Sequence, residues 1–308
     1  MTPRPGARAA AQRLCAALLA PLFLLALAGC SEAPGKGTGR PPPNPLLYEL
    51  ASADGQVEGW MLGTIHALPP DAAWQTPAIG RVIDEADGLV VEVAALTDDA
   101  GLSRTFASLS STPGLPPLAD RLPPDLAAPL AALMRRGGGA ADRFAATETW
   151  AAALTLARVD AVGDPEGGVD RALIAAFAGR PVRELEGAAA QLAIFDRLPE
   201  AQQRAMLAAV VRESAAPGRD PERLQRAFLA GDAATIEAST REGILAEPAL
   251  HEALLAARNR RWAEALGPVL AGEARPLIAV GAAHLVGPEG LAALLAAKGY
   301  RVRRLPAQ

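Results

Sequence analysis

Short apolar runs rich in β-branched residues alternate with long helical stretches along this chain. Residues 48–52 and 57–65 flank an Asp54-Gly55 turn, a pattern that predicts a β-hairpin. Helical patterns fill most of 100–180, including a predicted helix at 122–136, and most of 195–265. Strands separated by long helices are typical of an α/β fold, so we predict a central mixed or largely parallel sheet with a large helical insertion or cap. Further strands are predicted at 88–93, 181–186, 276–280 and 300–305.

The first 29 residues have the layout of a bacterial secretion signal. Basic residues precede an uncharged apolar run at 14–27, which is short for a membrane span but suits a signal peptide. The run ends in Leu27-Ala28-Gly29-Cys30, which resembles the lipobox at which bacterial lipoproteins are cleaved and acylated. We predict residues 1–29 to be a lipoprotein signal peptide and Cys30 to be the lipid-bearing first residue. An ordinary signal peptide that happens to end in cysteine is the alternative.

Residues 30–45 are predicted to form a flexible tether, because 31–45 are rich in Gly, Pro and Ser and lack an apolar period. The remaining 46–308 is long enough for a single large domain. Ser31 follows the cysteine, so no Asp is present at that position to retain a lipoprotein at the inner membrane. For a Gram-negative host, we therefore expect a protein held in the outer membrane through the lipid on Cys30 and facing the periplasm.

The cysteines and the charge exclude several classes of function. Cys15 leaves with the signal and Cys30 carries lipid, so the mature body has no disulfide, thiolate nucleophile or cysteine-ligated metal. The formal net charge is −4 and no basic stripe is interleaved with aromatics, so nucleic acid is not an expected partner. The Gly-x-Ser-x-Gly motif of α/β serine hydrolases is absent. Catalysis would therefore rest on histidines, carboxylates, hydroxyls or cations.

Two of the three histidines occur in the same local pattern. His66 and His284 each follow an apolar strand, a glycine (Gly63 or Gly281) and two small or apolar residues. A glycine there permits a tight backbone turn or the close approach of another group. Ligands of open α/β sheets bind at the carboxyl edge of the strands, so we predict that His66 and His284 converge on one site. The alternative is two unrelated histidines.

Two carboxylates and one Arg-Asn pair complete the candidate site. Glu92 lies within the apolar run 90–93 and Glu186 ends the predicted strand 181–186. Histidine and glutamate side chains at strand ends suit a divalent metal, or a general acid–base pair without metal. Arg258 and Asn259, on a predicted helix at 248–266, have the chemistry to bind a substrate carbonyl or phosphate.

In this order, these motifs resemble successive blocks of the TraB/GumN family, over about 46–305. That family is similar to the Tiki metalloproteases and, more distantly, to erythromycin-esterase-like and ChaN-like proteins. Three positions depart from its pattern: Gly187 stands for a usual Thr, Ala190-Gln191 for a usual Glu-Gln pair, and Thr149 where relatives tend to have Pro. The blocks are MLGTIHALPP at 61–70, VVEV at 90–93, Leu-Glu at 185–186 with Gln-Leu at 191–192, RNRRW at 258–262 and VGAAHLVG at 280–287.

The resemblance implies a metal-dependent hydrolase site that acts on a peptide or another small molecule. His66, Glu92 and His284 would hold a divalent Mn, Co or Zn ion. Glu92 or Glu186 would be the general base, and Arg258 and Asn259 would bind substrate. Two alternatives stay open: a hydrolase without metal in which a histidine is the base, and a non-catalytic envelope binding protein linked to polysaccharide or signalling functions.

Overall fold

The computed structural model describes residues 42–96, 98–138 and 143–308. The predicted signal peptide, Cys30 and most of the predicted tether lie outside these residues. Among the helices that are described, none has both the length and the apolar character needed to cross a membrane.

The described residues contain a mixed sheet whose strand order is β4-β3-β5-β2-β1-β6. Four neighbouring strands, β4, β3, β5 and β2, are parallel to one another. The β1–β2 hairpin is antiparallel, as is the pairing of β1 with β6. The predicted α/β fold with a mixed, largely parallel sheet is therefore confirmed. The strands are β1 (Leu47–Ala51), β2 (Val57–Thr64), β3 (Gly88–Val91), β4 (Val182–Glu184), β5 (Pro276–Gly281) and β6 (Arg301–Arg304).

Helices connect the parallel strands. The α10 and α11 helices are joined by a π-helical turn, Glu252–Ala256, so that a nearly continuous helix runs along one flank of the candidate site. The helices are α1 (Pro77–Glu85), α2 (Asp99–Leu109), α3 (Ala127–Arg136), α4 (Thr149–Ala157), α5 (Val169–Ala176), α6 (Ala188–Asp196), α7 (Glu200–Ala215), α8 (Arg223–Ala230), α9 (Ala233–Ser239), α10 (Pro248–His251), α11 (Ala257–Leu270) and α12 (Leu291–Ala297).

Two hydrophobic cores correspond to the sheet and to the predicted helical insertion. The larger core holds the central strands, whose residues form nearly continuous apolar runs because parallel strands are covered on both faces. The second core consists of side chains from α3, α4 and α7, including Leu133, Leu156 and Leu207. These helices belong to the long segments that follow β3 and β4, so the helical cap that the sequence predicts has a core of its own.

Three predicted boundaries differ from the structure. The helix predicted at 122–136 begins at Ala127, because Pro123 and Pro124 restrict the backbone and the segment before it forms 3₁₀ turns. The helix predicted at 248–266 is interrupted by the π turn. The strand predicted at 88–93 ends at Val91, which places Glu92 just beyond the strand and not within it.

Candidate active site

The parallel strands bring four predicted site residues to one edge of the sheet. Glu186 and Glu92 follow β4 and β3, and His284 and His66 follow β5 and β2. Because these strands are parallel neighbours in this order, their carboxyl ends lie side by side, which is where ligands bind in open α/β sheets.

The glycines of the two histidine patterns provide space for close packing. Gly63 pairs with Val280 and Gly281 pairs with Thr64, so the two patterns lie one residue out of register. A Cβ on Gly63 would lie 3.0 Å from the Cβ of Ala282, whereas a Cβ on Gly281 would lie 3.4 Å from Glu92 Oε1. Neither glycine has a positive φ. These glycines therefore allow the close approach of neighbouring groups, as the sequence suggested, and do not form strained turns.

We expect Gly63→Ala to destabilise the fold more than Gly281→Ala. The added methyl at Gly63 meets both the Cα and the Cβ of Ala282, at 3.1 and 3.0 Å, and overpacking of this kind costs about 1–3 kcal/mol. At Gly281 the new contacts, at 3.4 and 3.6 Å, are close to ordinary van der Waals distances. Urea denaturation of both variants tests the difference, and equal midpoints would contradict this packing argument.

Arg258 lies at the centre of the site and pairs with both carboxylates. Its Nη2 is 2.8 Å from Glu92 Oε2 and 2.9 Å from Glu186 Oε2, and its Nε also donates to Glu186 at 3.1 and 3.2 Å. Nη1 donates to the carbonyl of Leu254 at 3.1 Å and faces His284 Nε2 at 3.3 Å. A guanidinium has five N–H donors, and these partners occupy all of them.

Glu92 is buried and ionised within this cluster. Its Oε1 accepts the backbone N–H of Gly281 at 2.8 Å, and its Oε2 accepts Gln191 Nε2 at 3.1 Å besides Arg258. Burial raises the pKa of Glu92, but charge interactions with His284 and Arg258 and the Gly281 N–H outweigh it, so the pKa is lowered. Since the pKa of His284 is about 4 and that of His66 about 9, the groups that lower the pKa of Glu92 near pH 7 are Arg258, the Gly281 N–H and the charged His66.

His284 is buried and neutral. Its Nδ1 lies 2.5 Å from Asn259 Oδ1, and its ring packs against Trp262 with centroids 4.5 Å apart. Burial lowers its pKa to about 4, with Arg258 acting in the same direction and Glu92 opposing. Asn259 is 0 % exposed and donates its own Nδ2 to the carbonyl of Glu289 at 2.7 Å. In this structure Arg258 and Asn259 contact protein groups.

His66 has a different environment from His284. Its Nδ1 lies 2.8 Å from Asp170 Oδ2, while the other oxygen of this carboxylate accepts the hydroxyl of Thr64 at 2.5 Å. The His66 side chain is 73 % exposed, whereas that of Asp170 is 8 % exposed. The hydrogen bond that Nδ1 donates to Asp170 raises the pKa of His66 to about 9. Burial raises the pKa of Asp170, but its bonds with His66 and Thr64 outweigh this effect and lower it.

Sequence reasoning missed Asp170, Thr64, Gln191 and Glu289. Asp170 is the second residue of α5, where an acidic residue is ordinary because it complements the helix dipole. The available signal was its place between Val169 and Leu173 on the buried face of that helix. A buried aspartate requires a partner, and His66 is that partner.

The donor set does not fit a metal held by His66, Glu92 and His284. Among the described residues, no three His, Cys, Asp or Glu side chains are grouped so as to hold an ion. The Arg258 guanidinium lies between Glu92 and Glu186 and faces the free nitrogen of His284, so a cation already occupies the position where these groups converge.

Comparison with known proteins identifies the family. The model of the TraB/PrgY/gumN family matches residues 46–304, which include every residue of the site described above. The chain belongs to the TraB/PrgY/gumN family. The resemblance seen in the sequence is therefore confirmed. Neither the curated proteins nor the solved structures contain a significant match. In this family member, Glu92, Glu186 and His284 converge on Arg258, and His66 pairs separately with Asp170.

Proposed function

We propose that this TraB/PrgY/gumN family protein is a hydrolase in which His66 transfers the proton, without a metal ion. The observation that carries the proposal is the His66–Asp170 pair. Asp170 binds Nδ1 and fixes the ring, while the His66 side chain is 73 % exposed to solvent. No hydrogen bond to Nε2 is formed by the described residues. A histidine oriented in this way by a carboxylate is the usual arrangement of a general acid–base.

The reaction we propose is water attack on the carbonyl carbon of a peptide or another small ester or amide. Nε2 of neutral His66 takes a proton from water as the water oxygen bonds to the carbonyl carbon. The protonated ring then gives that proton to the leaving group as the bond from carbonyl carbon to leaving group breaks. Asp170 stabilises the imidazolium that forms between these steps.

The buried cluster supports this chemistry through its charge and rigidity. Glu92 contributes to the raised pKa of His66, although Asp170 has the largest effect. We propose that Arg258 keeps Glu92 ionised, that it holds both Glu92 and Glu186 in place, and that Asn259 and neutral His284 position Arg258. Glu92 and Glu186, which the resemblance offers as general bases, are less suited to that role than His66, because protein donors already bind both carboxylates.

The test is turnover of ester and peptide panels by the full chain and by His66→Gln. We expect the variant to lose about 10²- to 10⁴-fold in kcat, which is the range for removal of a general acid–base. Asp71→Asn, which changes an exposed carboxylate in the same segment, is the control and should match the wild type. If no substrate of either panel is turned over while ligands still bind, the protein is a non-catalytic binding protein.

We also propose that Cys30 anchors the protein to the membrane. The support is the lipobox-like sequence at 27–30 and the polar tether after it. In a Gram-negative host, Cys30→Ser is expected to abolish incorporation of labelled palmitate and to release the protein from outer-membrane fractions. Each CH₂ group of an acyl chain that is buried in the bilayer contributes about 0.8 kcal/mol to membrane binding, so loss of the chains should strongly weaken the binding of the protein to the membrane. Unchanged fractionation of Cys30→Ser would contradict the anchor.

A further inference from the structure

A second histidine–carboxylate pair lies behind the site. His251, the last residue of α10, places Nε2 2.8 Å from Glu289 Oε2 and Nδ1 2.9 Å from the carbonyl of Thr240. The His251 side chain is mostly buried and that of Glu289 is partly exposed. Both ring nitrogens lie within hydrogen-bond distance of acceptors, so the ring bridges the carbonyl of Thr240 and the side chain of Glu289. This pair fixes Glu289 against the end of α10.

Glu289 connects this pair to the candidate site through its backbone. Its carbonyl accepts Asn259 Nδ2 at 2.7 Å, and Asn259 Oδ1 lies 2.5 Å from His284 Nδ1. A carbonyl can only accept, so the asparagine must direct its NH₂ group to Glu289 and its oxygen to His284. His284 must then carry its proton on Nδ1 and present the lone pair of Nε2 to Arg258, 3.3 Å away.

The π turn lies between His251, which contacts Glu289, and the Arg258-Asn259 pair, which contacts His284. It spans Glu252–Ala256, directly after His251 and just before Arg258 and Asn259. The Arg258 side chain bonds back to the carbonyl of Leu254 within this turn. π turns inside α-helices occur frequently at functional sites. One helical segment thus contributes both the group that fixes Glu289 and the groups that fix His284.

We propose that His251 and Glu289 are positioning residues of this site, which set the tautomer of His284 through Asn259. His251 holds the Glu289 segment, the Glu289 carbonyl orients the Asn259 amide, and the amide oxygen selects the Nδ1–H form of His284. In this form His284 Nε2 accepts a hydrogen bond from Arg258 Nη1, so that all five N–H donors of the Arg258 guanidinium have partners. The proposal concerns the same site as the proposed function, but its first test requires no activity.

The test is ¹⁵N NMR of the full chain with labelled histidine, which distinguishes the two neutral tautomers. In the wild type, His284 is expected to show one protonated nitrogen, Nδ1, and one bare nitrogen, Nε2. In His251→Ala and Glu289→Ala, the single-tautomer pattern should be lost. Glu252→Ala is the matched control, because Glu252 lies in the same helical segment and pairs with Arg260 at the surface. Wild-type His284 signals in both site variants, or an Nε2–H form in the wild type, would overturn the proposal.

Turnover gives a second readout that separates this proposal from the proposed function. We expect both site variants to lose about tenfold to a hundredfold in kcat with little change in KM, because small misplacements of catalytic groups have effects of this size. If either alanine variant fails to fold, His251→Gln and Glu289→Gln replace them in both measurements. A wild type without hydrolytic activity but with the predicted His284 tautomer would contradict the proposed function and leave the positioning role supported.

Discussion

Replacing Arg258 by methionine is expected to destabilise the protein by about 3–5 kcal/mol, the usual cost of leaving a buried charge without its partner. Glu92 and Glu186 are each about one-tenth exposed, and both depend on the same guanidinium for compensation. Methionine retains most of the volume against Trp262, over which the guanidinium lies at 4.6 Å, but removes the charge and every donor. Urea denaturation near pH 7 measures the loss.

Two further variants isolate the buried charge as the cause. Arg261→Met removes an arginine that is 57 % exposed and reaches Glu186 at only 3.4 Å, so its cost should stay within about 1 kcal/mol. Combining Arg258→Met with Glu92→Gln and Glu186→Gln should recover much of the lost stability, since no unpaired charge is left. If Arg258→Met proves as stable as Arg261→Met, the central role of Arg258 in the cluster is wrong.

Asp170→Asn is expected to lower kcat on the order of a hundredfold or more, because asparagine neither orients His66 equally well nor stabilises its imidazolium. The pH profile should change as well. With the pKa of His66 at about 9, neutral His66 and therefore activity increase with pH up to that value in the wild type. Without Asp170, the pH at which activity stops increasing should fall towards the ordinary histidine pKa of about 6.5. The dependence of kcat/KM on pH measures both effects. If kcat/KM stops increasing at the same pH in both proteins, the His66–Asp170 contact does not set the pKa of His66.

The same pair predicts a pH window for stability. A histidine whose pKa is raised on folding contributes stability that is fully present below about pH 6.5 and is lost as the pH rises through about 9. The wild type should therefore exceed Asp170→Asn in stability most between about pH 4, below which Asp170 itself begins to lose its contribution, and pH 6.5, and the difference should shrink as the pH rises from 6.5 to 9. Asp99→Asn, which changes an exposed carboxylate bound to Arg171, should show no such window. A constant difference from pH 6 to 9 would argue against an ionic His66–Asp170 contact.

The sequence predicted the sheet and the edge of the site because both follow from local patterns. Buried parallel strands require continuous apolar runs, and residues just after such runs come to the carboxyl edge whatever the intervening chain does. This is why the sequence pattern alone places His66, Glu92, Glu186 and His284 at one edge of the sheet, where the structure also has them. The error of two residues at the end of β3 did not matter, because Glu92 reaches the same edge from just beyond the strand.

The partners of these residues were not predictable, because they depend on packing between distant elements. The buried face of α5 indicates that Asp170 needs a partner, but it does not indicate which one. Asp170 meets His66 only once the start of α5 lies against the chain just after β2, where the Val169 N–H donates to the carbonyl of Ile65. The role of Arg258 also depended on tertiary structure: its position on a helix was predicted, but its contacts with Glu92 and Glu186 require two other strand ends. The resemblance implies a metal ion near Glu92, where the structure has the guanidinium of Arg258.

The central claim is that His66 supports hydrolysis without a metal ion, and turnover after exhaustive chelation tests it most directly. Wild-type protein and His66→Gln are assayed on the same ester or peptide substrate, with metal content measured in each sample. The account predicts that chelated wild-type protein retains its full rate while His66→Gln loses about a hundredfold or more. Wild-type turnover that disappears on chelation and returns with Mn²⁺, Co²⁺ or Zn²⁺ would contradict it, as would equal rates for the two proteins.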